Sequence, residues 1–182
     1  MTLFLFHVSL HWACVILFSL IVKAPLDAKA TLLTLCNNVL TYIYMEKTIV
    51  YGTCGYAYLI IYLLIADQWF YWMHRIMHNG YLYNYVHYIH HRWVMPIPIS
   101  AIAAHPVEHI LINLSSVTIG PYLFPCTEAV LYTWIGIATV NSVVSHTDLS
   151  WASSKHRVHH KRLNRNFGLL ISDYMWGRAV NR

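Results

Sequence analysis

The sequence predicts an all-α fold embedded in a membrane, with four or five transmembrane helices beneath a histidine-rich cap. Three observations predict it. Of the 182 residues, 58% are hydrophobic and only 10% charged, whereas a soluble domain is about one quarter charged. The apolar residues gather in long stretches, at 1–22, 30–45, 48–72, 110–124 and 127–145, and helices of such length are what cross a bilayer. The 13 histidines lie mostly outside those stretches, in clusters with helical spacing. The 7 Trp and 14 Tyr suit aromatic belts at the membrane interface.

Residues 1–22 are apolar apart from His7 and His11. They lack a basic leading region and a small-residue cleavage site, so a retained span is expected and not a signal peptide. His7 and His11 share a helix face and are expected to pack, because a metal site needs more ligands. Residues 23–29, with Pro25, form a polar break. Residues 30–45 are interrupted by Asn37 and Asn38, and four spans result if they do not cross. Glu46 and Lys47 make a second break. Residues 48–72 then run directly into a histidine pair. Gly52 and Gly55 read as helix-packing positions, and with no Gly-rich nucleotide loop the chain carries no flavin or nicotinamide site of its own. The stretches 110–124 and 127–145 form a hairpin around Pro121 and Pro125. Cys14, Cys36, Cys54 and Cys126 form no CxxC pair and read as small buried apolar residues.

Charge placement gives the topology. If the histidine clusters share one side, the hairpin leaves and returns, and its turn at 121–128 lies opposite. Tracing backwards puts Lys47 on the far side and every other one of the 12 Lys and Arg on the histidine side. That asymmetry makes the histidine side cytosolic. Lys155, Arg157, Lys161, Arg162, Arg165, Arg178 and Arg182 crowd the last stretch. They read as a topology signal and as a face for anionic lipid or an acidic redox partner, with no nucleic acid implied.

The histidines carry the chemistry. His74 and His78 are four apart; His87, His90 and His91 read HxxHH; so do His156, His159 and His160. Positions i, i+3 and i+4 share a helix face, so each cluster aims its imidazoles at one region. Eight neutral imidazoles brought together are costly to bury unless a metal satisfies them. Eight, or nine with His146, exceed what one ion takes, so two ions are expected. Imidazole suits iron, zinc, copper and nickel alike; only a redox metal attacks the unactivated C–H bonds of a lipid.

Three motifs carry a resemblance. They are Asp67-Gln-Trp-Phe-Tyr-Trp-Met-His74-Arg-Ile-Met-His78, then His87-Tyr-Ile-His90-His91-Arg-Trp, then His156-Arg-Val-His159-His160. With Asn166-Phe167-Gly168 and the closing Asp173-Tyr-Met-Trp-Gly177, the chain from Asp67 to Gly177 resembles the fatty acid hydroxylase/sterol desaturase superfamily of integral membrane di-iron oxygenases. His91-Arg-Trp-Val-Met-Pro96-Ile-Pro98 and Ala104-His105-Pro106-Val107-Glu108 look most like the C5-sterol desaturase (lathosterol oxidase) branch; the 4-methylsterol oxidase branch has a similar AHPxE.

The apolar stretches give N-terminal transmembrane helices over residues 1–66, and the resemblance implies a catalytic region over 67–182, within one domain. It implies two iron ions held by His74, His78, His87, His90, His91, His156, His159 and His160, with His146 as a ninth ligand and zinc as a substitute on purification. His105 is a further ligand or pocket candidate, and His109 a weaker one. Asp67 and Glu108 are candidate partners for the outer nitrogens of ligating imidazoles. Tyr62, Trp69, Phe70, Trp72, Tyr83 and Tyr85 are expected to line or seal a lipid pocket. The implied activity is O2-dependent desaturation or hydroxylation of a lipid, a sterol above all. Electrons would come from cytochrome b5 and its reductase or a ferredoxin, at the endoplasmic reticulum in a eukaryote. Two departures stand out: Ser150 where some members carry another histidine, and Ser172 where the family has tryptophan. Fatty acyl hydroxylation, a non-enzymatic histidine-rich metal-binding protein and an inactive relative stay open.

Overall fold

The computed structural model describes residues 1–149 and 154–180, leaving Ser150 and Arg182 outside the described residues. Helix α1 (Thr2–Val22) ends where Lys23 turns left-handed (φ 54) and its N–H returns to the Ser19 carbonyl, a common helix stop. Asp27 caps α2 (Ala28–Thr48), its carboxylate accepting from the Ala30 N–H at 2.8 Å. This helix runs through Glu46 and Lys47, so the expected second break comes later. A short strand, β1 (Tyr51–Cys54), follows, and α3 (Tyr58–Met77) carries the first histidine pair.

The stretch 48–72 is therefore not one helix, and Gly52 explains why. A Cβ at Gly52 would lie 2.5 Å from the Pro125 carbonyl oxygen. Only glycine lets β1 pair here, with Cys54 N–H donating to Pro125 O at 3.2 Å and Thr127 N–H to Cys54 O at 3.2 Å. Gly52 serves a close backbone approach and not helix packing; a Cβ at Gly55 meets nothing within 4 Å.

Next come α4 (Gly80–Leu82), a π-turn (Tyr83–His87) and α5 (Tyr88–His91). A 3-10 turn (Pro98–Ile102) precedes α6 (Pro106–Glu108), a second π-turn (His109–Leu114), α7 (Ser115–Leu123) and α8 (Glu128–Ser145). Proline sits inside α7 at Pro121, which removes the N–H that would bond Val117 O. Trp134 Nε1 on α8 donates to that carbonyl instead, at 2.7 Å, so the expected hairpin is pinned at its proline. The last elements are α9 (Ser154–Lys161) and α10 (Ser172–Met175).

Two apolar clusters hold the bundle. One joins Leu3, Met45, Tyr62, Ala66, Leu131 and Trp134 of α1, α2, α3 and α8. The other joins Val15, Ala30, Ile99, Ala103 and Val143. The polar residues of α2 point inward, not out. Thr34, Asn37, Asn38 and Thr41 are buried while Leu32, Leu35, Val39 and Ile43 are exposed. Asn37 Nδ2 donates to the carbonyls of Ile102 (2.7 Å) and Ala104 (3.0 Å), tying α2 to the loop before α6. A helix with its polar side in and its apolar side out is built for lipid.

By length and composition, α1 alone among the described residues passes as a membrane-crossing helix. Polar and charged residues lower the others: Asn37, Asn38 and Lys47 in α2, Asp67 and Arg75 in α3. Of the cysteines, Cys14 and Cys126 are buried, but Cys36 is exposed among the outward apolar residues of α2, contrary to expectation.

Candidate metal centre

Four pieces of backbone bring the histidines together. The end of α3 supplies His74 and His78. The π-turn and α5 supply His87, His90 and His91, and a π-turn, which re-aims the side chains after it, often marks a functional site. His146 follows the end of α8. Helix α9 supplies His156, His159 and His160. The result is two sets: His74, His78, His87, His91 and His159; and His90, His146, His156 and His160. All nine residues singled out as ligands in the sequence fall in one set or the other.

Every one of the nine presents Nε2. In the first set His87 Nε2 lies 3.0 Å from those of His74, His78 and His91, and His159 Nε2 lies 3.1 Å from those of His78 and His91. In the second set His156 Nε2 lies 3.0 Å from those of His146 and His160, and His146 Nε2 lies 3.4 Å from that of His90. The outer nitrogens fix the tautomers. His74 Nδ1 donates to Phe167 O (2.9 Å), His159 Nδ1 to Arg165 O (2.7 Å) and His146 Nδ1 to Ser142 O (2.8 Å). With the proton on Nδ1, Nε2 carries only a lone pair. Lone pairs facing one another at 3 Å repel unless a cation sits among them.

The spacing fits a metal. With bonds of about 2.1 Å, ligands at right angles lie about 3.0 Å apart and tetrahedral ones about 3.4 Å apart. Most separations match the right-angled case, and imidazole is a ligand for iron as for zinc. Burial, then the neighbouring histidines, push His156, His159 and His160 well below the usual imidazole range. They are therefore neutral, the form a metal binds.

Two carboxylates support the sets differently. Glu108 Oε1 lies 2.9 Å from His87 Nδ1, both fully enclosed. The contact is close but off the N–H axis, and neither His87 Nδ1 nor Glu108 Oε2 makes a well-formed hydrogen bond. Burial raises the Glu108 carboxyl well above its usual range. Asp67 touches no imidazole, contrary to expectation. It accepts from the N–H groups of Leu169, Leu170, Ile171 and Ser172 at 2.8–3.0 Å and from Ser172 Oγ at 2.7 Å. Asp173 accepts from Phe167 and Gly168 N–H at 2.7 and 2.9 Å. Together they clamp the 165–173 loop, whose carbonyls orient His159 and His74. Ser172 is thus part of the Asp67 clamp.

His105 joins neither set; its Nδ1 accepts from Val107 N–H at 3.1 Å and caps α6. A cavity of about 540 Å³ opens against the sets, with His74, His87, His90, His146 and His156 in its wall, in the size range of ligand sites. Of the expected aromatic lining only Phe70 reaches it. Tyr62 is buried, its hydroxyl donating to Phe124 O at 2.6 Å, Trp69 Nε1 donates to Ser115 Oγ at 2.7 Å, Trp72 packs on Trp176, Tyr83 on His78, and Tyr85 is exposed. The cavity instead draws in His7, His11 and His109. The signal for His7 and His11 was polarity inside an apolar stretch, which is costly and so marks function in membrane helices; His109 lies at the edge of one.

Fold and site define a helical protein with a lipid-suited exterior and two histidine sets at an internal cavity. The family model for fatty acid hydroxylase matches residues 59–178, and the chain belongs to that family. It is 32% identical over 124 residues to the human fatty acid hydroxylase domain-containing protein 2 (65% of this chain, 37% of the relative). It is 31% identical over 136 residues to the C-4 methylsterol oxidase of Schizosaccharomyces pombe (66% and 44%). It is 29% identical over 121 residues to a Delta(7)-sterol 5(6)-desaturase of Gibberella zeae (63% and 34%). The chain spans less than half the length of these relatives. No solved structure matches it.

Proposed function

We propose that this chain catalyses O2-dependent oxidation of a C–H bond of a membrane lipid, a sterol, by desaturation or hydroxylation. The observation that carries the reading is the pair of Nε2 sets opening onto one cavity. Each set would hold one iron ion, five nitrogens on one and four on the other. Bound iron supplies the reduction of O2 and the oxidising power that imidazole lacks. The residues of the chain do the rest. The carbonyls of Phe167, Arg165 and Ser142 keep His74, His159 and His146 in the Nδ1–H form, with Nε2 free to ligate. Glu108 sits beside the outer nitrogen of His87, where a ligating imidazole takes its orienting partner. Phe70, Leu63, Ile112 and Ile135 give the cavity apolar walls that position a hydrocarbon and keep water from it.

A sterol is favoured because two of the similar proteins are named for sterol oxidation and sterol desaturation. Four or five spans would leave the histidine sets on the cytosolic side, in the endoplasmic reticulum of a eukaryote. There the basic residues Arg157, Lys161, Arg162 and Arg165 would meet an acidic electron donor such as cytochrome b5 with its reductase.

The metal content of protein from iron-supplemented cells tests the reading, beside a His159→Ala/His160→Ala variant. About two irons per chain are expected, by the ligand count, and the variant should lose most of them. Sterol extracts of expressing cells should show an oxidised product that needs O2. Absence of metal from the intact protein would remove the proposal.

A further inference from the structure

The cavity extends from the histidine sets to a wall built by α1 and α8, and that wall is polar where a hydrocarbon needs no polarity. His7 and His11 on α1 and Thr139 on α8 line it. Their proton positions follow from their partners. Thr139 donates its one hydroxyl hydrogen to Ile135 O at 2.7 Å, so its oxygen accepts from His7 Nδ1 at 2.9 Å. His7 is therefore the Nδ1–H tautomer of a neutral ring, with a lone pair at Nε2. His11 is 1% exposed, and its Nε2 is buried without a hydrogen-bond partner.

His109 is the contrast. Thr41 donates to Asn37 O at 2.9 Å, so it accepts from His109 Nε2 at 2.9 Å, and Asn113 Nδ2 donates to His109 Nδ1 at 3.3 Å. Both nitrogens of His109 are occupied. The spare hydrogen-bonding capacity of this wall lies with His7 and His11, and a buried polar atom left unpaired lowers stability until a ligand supplies its partner.

We propose that His7 and His11 form the recognition site for a hydroxyl group of the lipid substrate. The inference rests on reading the cavity as the lipid site, and narrows the substrate to an alcohol of sterol type over a fatty acid. A hydroxyl carries one donor and two acceptor lone pairs. It donates to His7 Nε2 and accepts from the N–H of His11. A carboxylate brings a charge that this wall does not match. Lys155, the one Lys or Arg lining the cavity among the described residues, is turned to Tyr174, its ammonium 4.5 Å from that ring. His11 and His146 line the same cavity. A hydroxyl held here therefore brings the carbons near it up to the second histidine set.

The test is competition binding on the full chain, purified in detergent with its metal and loaded with tritiated cholestanol. Unlabelled cholestanol is compared with cholestane, which lacks the hydroxyl, and with palmitic acid. Cholestanol should displace the label about tenfold better than either, the worth of roughly one good hydrogen bond. His11→Phe should abolish that preference with iron content unchanged. Thr139→Val, which keeps the side-chain shape while freeing His7 Nδ1, should weaken it independently. His11→Gln, which keeps a hydrogen-bonding group, should retain part. Equal displacement by cholestane in the unmodified protein, variants that keep the full preference, or palmitic acid as the best competitor would each overturn the assignment. Iron loss or absent turnover with the preference intact counts against lipid oxidation while supporting the hydroxyl site.

Discussion

Asp67 and Glu108 separate two ways in which a carboxylate can support a candidate metal site. Glu108 touches a histidine of the first set, His87. Asp67 acts at one remove, by holding the loop whose carbonyls hold His74 and His159. Asp67→Asn places an amide N–H₂ where two backbone N–H groups converge. It should cost about 2–4 kcal/mol through donors left facing donors, read as a lower melting temperature in detergent together with weaker metal retention. Glu108→Gln keeps the volume and the fold. It should weaken metal binding by roughly 10–100-fold, the usual effect of losing an outer partner, with little change in melting of the metal-free protein. Equal behaviour of the two variants would contradict the distinction.

At the scale of elements, the close approaches of backbone decide which helices can pack. A Cβ at Gly52 would meet the Pro125 carbonyl, and one at Gly120 would lie 3.1 Å from Tyr62 Cα, between α7 and α3. These neighbours are backbone atoms and cannot rotate away. Gly52→Ala and Gly120→Ala should each destabilise by about 1–3 kcal/mol. Gly55→Ala, which meets nothing within 4 Å, should change stability by less than about 0.5 kcal/mol. Thermal unfolding of the three variants in one detergent checks the order. The helical stretches themselves were legible as apolar runs. The break at β1 was not, because the need for glycine at Gly52 comes from Pro125, distant in sequence.

For the whole molecule, orientation in the bilayer is the consequence to measure. In sealed vesicles, on a Cys36→Ser background, Lys161→Cys should react with a membrane-impermeant maleimide added to the cytosolic face. Lys47→Cys should react only from the opposite face, because Lys47 is the one basic residue on the far side of the inferred topology. Labelling of both from one side would refute an odd number of crossings between them. The buried polar edge of α2 and its exposed leucines present an apolar surface of the kind that meets lipid or a protein partner.

The sequence by itself picked out eight of the nine histidines that gather, because a residue type at a helical spacing is written locally, and the family resemblance added His146. It determined the helical, apolar character of the chain for the same reason. Tertiary structure decided what depends on distant partners. It divided the histidines into sets of five and four, drawing His159 to one and His156 and His160 to the other although all three share α9. It moved Asp67 from imidazole partner to loop clamp, left His105 as a cap, and turned most of the expected lining aromatics away from the cavity. It also brought His7 and His11 to the cavity wall, where α1 packs on α8. Spacing along one helix fixes a face; which residue that face meets is fixed only by the packing of the others.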